Sequence, residues 1–385
     1  MEEMANERIR IPPVVNAERI LEGPAMSSSE SIRAVVVDDS AFMRTVISDI
    51  LEDGGIEMVA QAKDGDEAIR VVGECQPDVV TMDVEMPGMD GVRATEELMR
   101  LHPTPILMLS AHTEEDASVT FDALQNGAVD FFTKPGGEVS IEMSLFKDRL
   151  VEMVRTVSQA RVRDWETSGT TVESEPKIEP ASAPVTTSTA IIGASTGGPA
   201  VVEEILSSLP HLADLRLIIV QHMLADFTAR FADRLDDVSG FDIREATSND
   251  RLRGGEGIVA PGGSHLSVDS EQGSSLSVGL NDDPPIHGVR PAIDVTMETA
   301  AEVVSGPLVG VLLTGMGTDG TAGLRAIGEA GGWTLAQDRT TSAIYGMPRR
   351  ASEAGVVNRE LPTGDIPQAM VDAIAESASS IEEAR

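Results

Sequence analysis

The chain has 385 residues, 64 of them acidic and 29 basic, for a formal net charge of −35. That length exceeds one ordinary core and calls for two or three domains, with 41% hydrophobic residues to fill them. Nucleic acid is disfavoured as a partner because phosphate repels such a surface. No apolar run is long enough for membrane insertion, MEEMANERIR lacks the apolar core of a secretory signal, and the lone Cys75 rules out an internal disulfide. A reduced, cytoplasmic compartment is expected.

In chain order, residues 1–30 show no hydrophobic period and end in Met26-Ser27-Ser28-Ser29; they read either as a disordered arm or as a mis-assigned start, with Met26 the true one. Residues 31–157 alternate apolar runs with amphipathic stretches. Strands are expected at Ala34–Val37, Met58–Ala62, Val79–Asp83, Ile106–Ser110 and Asp130–Thr133. Helices fall at Phe42–Glu52, Gly65–Glu74, Gly91–Leu101, Ser118–Gln125 and Phe146–Ala160. Five such βα units imply a doubly wound parallel sheet covered on both faces. Residues 158–187, rich in Pro, Ser, Thr and Glu, read as a flexible linker.

A second α/β pattern occupies 188–378, with strands at Ala190–Gly193, Leu217–Gln221, Gly257–Val259, His265–Val268, Leu308–Thr314 and Gly332–Ala336. Its helices fall at Pro199–Leu209, Phe227–Asp236, Ala292–Val304, Gly320–Ala330 and Met347–Ala354, and 379–385 form a tail. The fold class is thus α/β twice over: a (βα)5 domain, then a mainly parallel doubly wound domain.

In the first domain Asp38 and Asp39 follow AVVV, and Asp83 ends DVVTMD. The carboxyl ends of parallel strands are where open α/β sheets bind ligands. Clustered carboxylates there repel one another unless a hard cation such as Mg²⁺ sits among them, and a carboxylate beside it can attack phosphorus. Ser110 and Lys134, ending two further strands, offer a hydroxyl and an ammonium to phosphate oxygens. The order DDS, MDVEMPGMDG, LSA, TKP closely resembles the response-regulator receiver domain. The resemblance implies Asp83 as phosphoacceptor, and Asp38, Asp39 and the Glu85 carbonyl as its companions around Mg²⁺. Ser110 would be the switch hydroxyl and Lys134 its cationic partner.

In the second domain Ser195 follows the strand AIIGA and precedes a helix opened by Pro199, with Gly193, Gly197 and Gly198 allowing a tight turn. Alone, GASTGGP fits a nucleophile turn, a phosphate loop or a plain turn. A nucleophilic serine needs an imidazole to take its proton and an acid to orient that ring. Of six histidines only His222 ends a strongly apolar strand, LIIVQH, and Asp319 lies in GMGTDG just after PLVGVLLT. Asp319 also reads as the N-cap of the next helix; the two roles are compatible.

GASTGGP, QHM, APGGSHL, RPAIDV, LLTGMGTDG and QDRTTSAIYGMP resemble the catalytic domain of the chemotaxis protein-glutamate methylesterases. With the receiver in front, the chain matches that family's usual order. The resemblance implies Ser195 as nucleophile, His222 as general base, Asp319 as orienter, and the Met316 amide and Thr196 as oxyanion neighbours. It implies no organic cofactor for the esterase. The implied substrate is a glutamate γ-methyl ester, or a glutamine, on chemoreceptor cytoplasmic helices, with a chemotaxis histidine kinase as phosphodonor. Arg290 and Tyr345 are candidates for binding an acidic receptor segment, with a surface ion pair the plainer role for Arg290. Two rivals stand beside this reading. GASTG also satisfies G-x-S-x-G, and an α/β-hydrolase would draw its base from a later histidine, His265 or His287. A receiver with a catalytically silent binding output is the non-enzymatic alternative.

The acidic excess runs through the whole chain, and self-repulsion of that size destabilises a compact state. Salt removes it, since the Debye length falls to about 3 Å near 1 M, which marks a protein adapted to a salt-rich cytoplasm, as in a halophile. The urea midpoint for unfolding is expected to rise as KCl goes from about 0.1 to 2 M; a midpoint that falls over that range overturns the assignment.

Overall fold

The computed structural model describes residues 31–110, 114–134, 140–162 and 187–383. The proposed N-terminal extension (1–30) and most of the proposed linker (163–186) lie outside them. The first five strands are β1 (Arg33–Val37), β2 (Glu57–Ala62), β3 (Val79–Asp83), β4 (Ile106–Ser110) and β5 (Asp130–Thr133), all parallel in the order β2-β1-β3-β4-β5. Helices α1 (Ala41–Asp53), α2 (Gly65–Cys75), α3 (Gly91–Leu101), α4 (Glu114–Gln125) and α5 (Ser140–Val157) cover them. Every residue of β3 and β4 is buried, which is why these strands are apolar without alternation. Helix starts follow from side-chain caps: Ser40 accepts from the Met43 amide, Asp64 from Glu67 and Asp90 from Arg93.

The second domain contains β6 (Ser188–Ala194), α6 (Gly198–Ser208), β7 (Leu215–Gln221), α7 (Ala225–Val238), β8 (Asp242–Glu245), β9 (Arg251–Leu252) and β10 (Glu256–Val259). It continues through β11 (His265–Gln272), β12 (Ser275–Asn281), α8 (Ile293–Val303), β13 (Leu308–Leu312) and α9 (Thr321–Glu329). It closes with β14 (Trp333–Gln337), α10 (Met347–Glu353), β15 (Arg359–Leu361) and α11 (Ile366–Glu383). Seven parallel strands pair in the order β15-β14-β13-β6-β7-β10-β8. Because β6 lies between β7 and β13, the chain reverses its direction of travel across the sheet there; that is the topological switch point where such folds place their sites.

Several expectations are corrected. The strand at His265 belongs not to the main sheet but to a separate antiparallel one, β11-β12-β9, with Leu266 and Val268 buried and Asp269 exposed. The edge strands β8 (DIRE) and β15 (REL) carry too few apolar residues to be seen in the sequence. Helix α11 runs on to Glu383, so no irregular tail begins at 379. The helix expected at Phe146 starts at Ser140 and ends at Val157.

From Ile32 onward the chain forms one unit, and the joint between its halves is aromatic. Phe121 of α4 and Phe131 of β5 meet Phe227 and Phe231 of α7, with ring centroids 5.6 Å apart for Phe121–Phe231 and 4.4 Å for Phe131–Phe227. Half of the chain's eight phenylalanines are spent here, fusing the two cores into one apolar cluster. Around it Arg234 bridges Asp122 at 2.9 Å and Glu203 at 2.8 Å, and Gln125 donates to Glu203. Truncating Phe121 to alanine removes about 2 kcal/mol of burial, so the docked-to-undocked ratio should fall roughly 30-fold. Small-angle scattering of Phe121→Ala should report the expansion; an unchanged profile contradicts the role of the joint.

Candidate active site

In the first domain the switch point lies between β1 and β3, and Asp38 and Asp83 end up side by side there. Lys134 Nζ lies 2.7 Å from Asp38 Oδ2 and 2.7 Å from Asp83 Oδ1. Burial raises Asp83 to about 6 against the pull of Lys134, while Lys134, despite its own burial, is held above the usual lysine value by Asp83 and Asp38. Carboxylate oxygens of Asp38, Asp39 and Asp83 all lie within 4.8 Å of one another, a donor set of hard oxygens that suits Mg²⁺. Glu85 follows with an exposed side chain, consistent with its backbone rather than its carboxylate facing the site. Ser110 is buried and its hydroxyl accepts from Thr120 of α4 at 3.0 Å, so the hydroxyl is engaged with the helix that carries the aromatic joint.

In the second domain the Ala194↔Gln221 register makes Ser195 and His222 the next pair along β6 and β7, about 4.8 Å apart at the backbone. The His222 amide donates to Ala194 O at 3.0 Å and the Ser195 amide to Thr314 O at 3.0 Å, stitching β6 to both neighbours just where Ser195 emerges. His222 Nε2 lies 2.8 Å from Asp319 Oδ2. Asp319 is buried and accepts three amides besides: Ile293 at 2.7 Å, Asp294 at 3.0 Å and Gly320 at 3.0 Å. Burial alone would raise Asp319, but the His222 ring and these amides hold it below the usual carboxylate range. Asp319 therefore works at the first turn of α8 rather than as a side-chain cap of α9, whose N-cap is Gly320.

With Nε2 held by Asp319, Nδ1 is the nitrogen left to receive a proton. Ser195 Oγ makes no hydrogen bond to it among the described residues; the His–Asp half is assembled and the Ser–His contact remains open, as is common before substrate binds. The amides of Thr196 and Met316 donate to no acceptor among the described residues; Thr196 follows Ser195 in the turn before α6 and Met316 lies in the loop after β13. Close approach of that loop depends on Gly315, where a Cβ would sit 2.6 Å from the Ser195 Cβ. His265 is buried and occupied on both nitrogens, by the Ala292 amide at 3.1 Å and Pro284 O at 3.3 Å, and His287 pairs with Asp294 at 3.0 Å. Both are engaged by these partners while His222 is the ring held by Asp319, which disfavours the later-histidine hydrolase. Arg290 spends NH1 on the carbonyls of Asp282 and Asp283, and Tyr345 donates to Glu360 at 2.8 Å; both serve local structure here.

Sequence reasoning missed three participants. Gln221 donates to the Ser195 and His222 carbonyls at 2.9 and 3.1 Å, tying the two turns together. Thr314 donates to Thr196 O at 2.9 Å and receives the Ile344 amide. Asp130 of β5 holds the Thr196 hydroxyl, which puts a residue of the first domain against the neighbour of Ser195. The end position of Gln221 on an apolar strand was the only available signal; the Asp130 contact had none. Two more contacts cover the same face: Thr156 Oγ1 donates to Met316 Sδ at 3.1 Å and the Arg161 amide to Ala343 O at 3.1 Å.

Fold and site together define a response regulator whose output is a parallel-sheet α/β domain carrying a His–Asp pair beside Ser195. Residues 34–145 match the response regulator receiver domain and residues 190–370 the CheB methylesterase family model. A protein-glutamate methylesterase/protein-glutamine glutaminase of Haloarcula marismortui is 53% identical over 363 residues, covering 90% of this chain and 98% of the relative. One from Halobacterium salinarum is 54% identical over 348 residues, covering 89% and 98%. The crystal structure of the Thermotoga maritima CheB methylesterase catalytic domain shares 35% identity with a TM-score of 0.47, covering 49% of this chain and 99% of that one. The chain belongs to the CheB family of receiver-linked protein-glutamate methylesterases/protein-glutamine glutaminases, and its acidic composition fits relatives from halophiles.

Asp130 is pushed up to about 7 by its burial, against hydrogen bonds from the Phe131 amide and Thr196, whereas its ordinary value is 3.8. The folded chain therefore binds this proton more tightly than the unfolded chain. The resulting stability is fully present below about pH 4 and is lost as pH rises from there to about 7. Asp130→Asn removes the dependence and should raise the unfolding free energy at about pH 7.5 by on the order of 2 kcal/mol, with little change near pH 4. Urea unfolding of the two proteins across this window checks it; parallel pH profiles contradict it.

Proposed function

We propose that Ser195 is the nucleophile of a protein-glutamate methylesterase and glutaminase whose access is governed by the receiver. The observation that carries the reading is the His222–Asp319 contact at 2.8 Å, one register step from Ser195 at the switch point. Ser195 Oγ attacks the γ-carbonyl of an esterified glutamate as its proton passes to His222 Nδ1, and the buried Asp319 carboxylate stabilises the imidazolium. The oxyanion receives the free Met316 and Thr196 amides. Collapse expels methoxide, which takes the proton from His222 and leaves as methanol. Water, deprotonated by His222, then cleaves the acyl-enzyme to free glutamate. A receptor glutamine follows the same course with ammonia as leaving group. No step calls on an organic cofactor.

Asp83 is the phosphoacceptor, fed by a chemotaxis histidine kinase, with Asp38, Asp39, Asp83 and the Glu85 carbonyl as the residues that would hold Mg²⁺. Bound there, Mg²⁺ neutralises charge on the incoming phosphoryl group. A phosphoryl group on Asp83 accepts from the Ser110 hydroxyl and draws it away from Thr120, and it competes with Asp38 for Lys134. That weakens the hold of Ser110 on α4, and with it the joint built from Phe121, Asp122 and Gln125. Phosphorylation shifts the equilibrium only by its different interaction with the docked and undocked states. Release of β5 and the α5 tail frees Thr196 and the Met316 loop. The substrate is a chemoreceptor's cytoplasmic helices; no helix among the described residues is long and apolar enough to cross a membrane, which fits work in the cytoplasm.

Methanol release from methylated receptor membranes at high KCl is the test. Ser195→Ala and His222→Ala should lower it by roughly 10³-fold or more, His287→Ala by less than about tenfold, and Asp83→Asn should lose stimulation by a phosphodonor. A fluorophosphonate should label Ser195. Absence of labelling together with full methanol release by Ser195→Ala would remove the serine mechanism.

A further inference from the structure

One cleft runs counter to the composition of the whole molecule. It has a volume of about 610 Å³, opens on Met316 and Thr318, and is lined by Arg161, Arg339, Arg349 and Arg350 with no Asp or Glu in its wall. This happens in a chain with 64 acidic and 29 basic residues, whose only lysines are Lys63, Lys134, Lys147 and Lys177, none of them in the catalytic half. The nearest carboxylate to two of the arginines is Glu353, at 4.0 Å from Arg349 and 3.5 Å from Arg350, longer than a good charge-assisted hydrogen bond. Arg339 makes no ion pair among the described residues. Arg349 and Arg350 share the single Glu353 and are about half exposed, so both keep donors for an anion that enters.

The reacting group does not need them. A γ-methyl ester and a primary amide are both neutral, and the oxyanion formed from either is served by the Met316 and Thr196 amides. What a cation cluster beside the oxyanion loop can recognise is the charge flanking the reacting side chain. On a helix, side chains one turn away lie about 5–6 Å off on the same face, so free glutamates flanking an esterified one would project alongside it. Arginine suits the task at high salt. Its fork grips a carboxylate through two short hydrogen bonds, whereas longer-range attraction is screened within about 3 Å near 1 M salt.

We infer that the cleft seats an acidic helical segment, with Arg339, Arg349 and Arg350 taking the free carboxylates that flank the esterified glutamate. The inference rests on the esterase reading above and names how that site selects its substrate. The docked receiver occupies the same place. The Arg161 amide donates to Ala343 O at 3.1 Å, its guanidinium reaches Arg339 O at 3.4 Å, and Thr156 closes over Met316. The tail of the first domain thus lies across the seat, and an acidic segment enters as it withdraws.

The test uses the full chain, activated with phosphoramidate and Mg²⁺, and two helical peptides carrying one glutamate γ-methyl ester, flanked by glutamates in one and by glutamines in the other. Wild type should favour the glutamate-flanked peptide in kcat/KM by about tenfold or more, through KM. Arg339→Gln/Arg350→Gln should lose that preference, cutting both peptides with similar kcat/KM, and Arg339→Lys should retain part of it. The single variants Arg339→Gln and Arg350→Gln carry the same comparison should the double variant not fold. A wild type without preference, or a glutamine variant that keeps it in full, overturns the inference while leaving the esterase reading intact. A wild type that hydrolyses neither peptide overturns both.

Discussion

The catalytic site depends on one strand having a parallel partner on each side. β6 is held by β7 and β13, and the three deliver Ser195, His222 and the loop bearing Asp319 to a single edge. Parallel pairing keeps register-matched side chains on the same face, so the Ser195–His222 relation is set by the backbone ladder rather than by side-chain contacts. Asp319 adds the third dimension. One buried carboxylate holds the His222 ring, the first amides of α8 and the turn into α9. An ionised group that deeply buried is stable only because each lone pair is used, and the same bonds that keep it charged fix the tautomer of His222.

The receiver meets this site at the neighbours of Ser195. Asp130 takes the hydroxyl of Thr196, the residue after Ser195, and Thr156 lies on the sulfur of Met316. The energy of docking sits elsewhere, in the four phenylalanines and the Arg234 bridges beneath them. That division is useful in a switch. The joint is apolar, whereas the contacts at the active site are few and polar. Ser110 and Thr120 link the phosphoacceptor pocket to that helix in one hydrogen bond.

Charge is distributed with the same economy. A surface of net −35 tolerates close carboxylates only where salt screens them or a cation is supplied. Lys134 supplies one between Asp38 and Asp83. The arginine-lined cleft is the opposite exception, a patch of positive charge beside the oxyanion loop in a molecule that has little to spare.

Much of this was legible in the sequence. Two α/β domains, eleven of the fifteen strands among the described residues and helices at the switch points follow from apolar runs and their spacing, and Ser195, His222, Asp319, Asp38 and Asp83 stand at strand ends because such ends are where apolar runs stop. Short polar edge strands such as β8 and β15 were not legible, because an edge buries too little to need an apolar pattern. Nor was the separate sheet of β11, since a periodicity shows which face is buried and not which strand is the neighbour. Tertiary structure alone decided what meets across distance: which ring nitrogen faces Asp319, that His265 and His287 are spent on other partners, that Asp130 reaches Thr196, and that arginines far apart in the chain share one cleft. Local sequence sets which residues are polar at an exposed edge. Only the order of strands in the sheet, and the docking of one domain on another, determine which of them come within bonding distance.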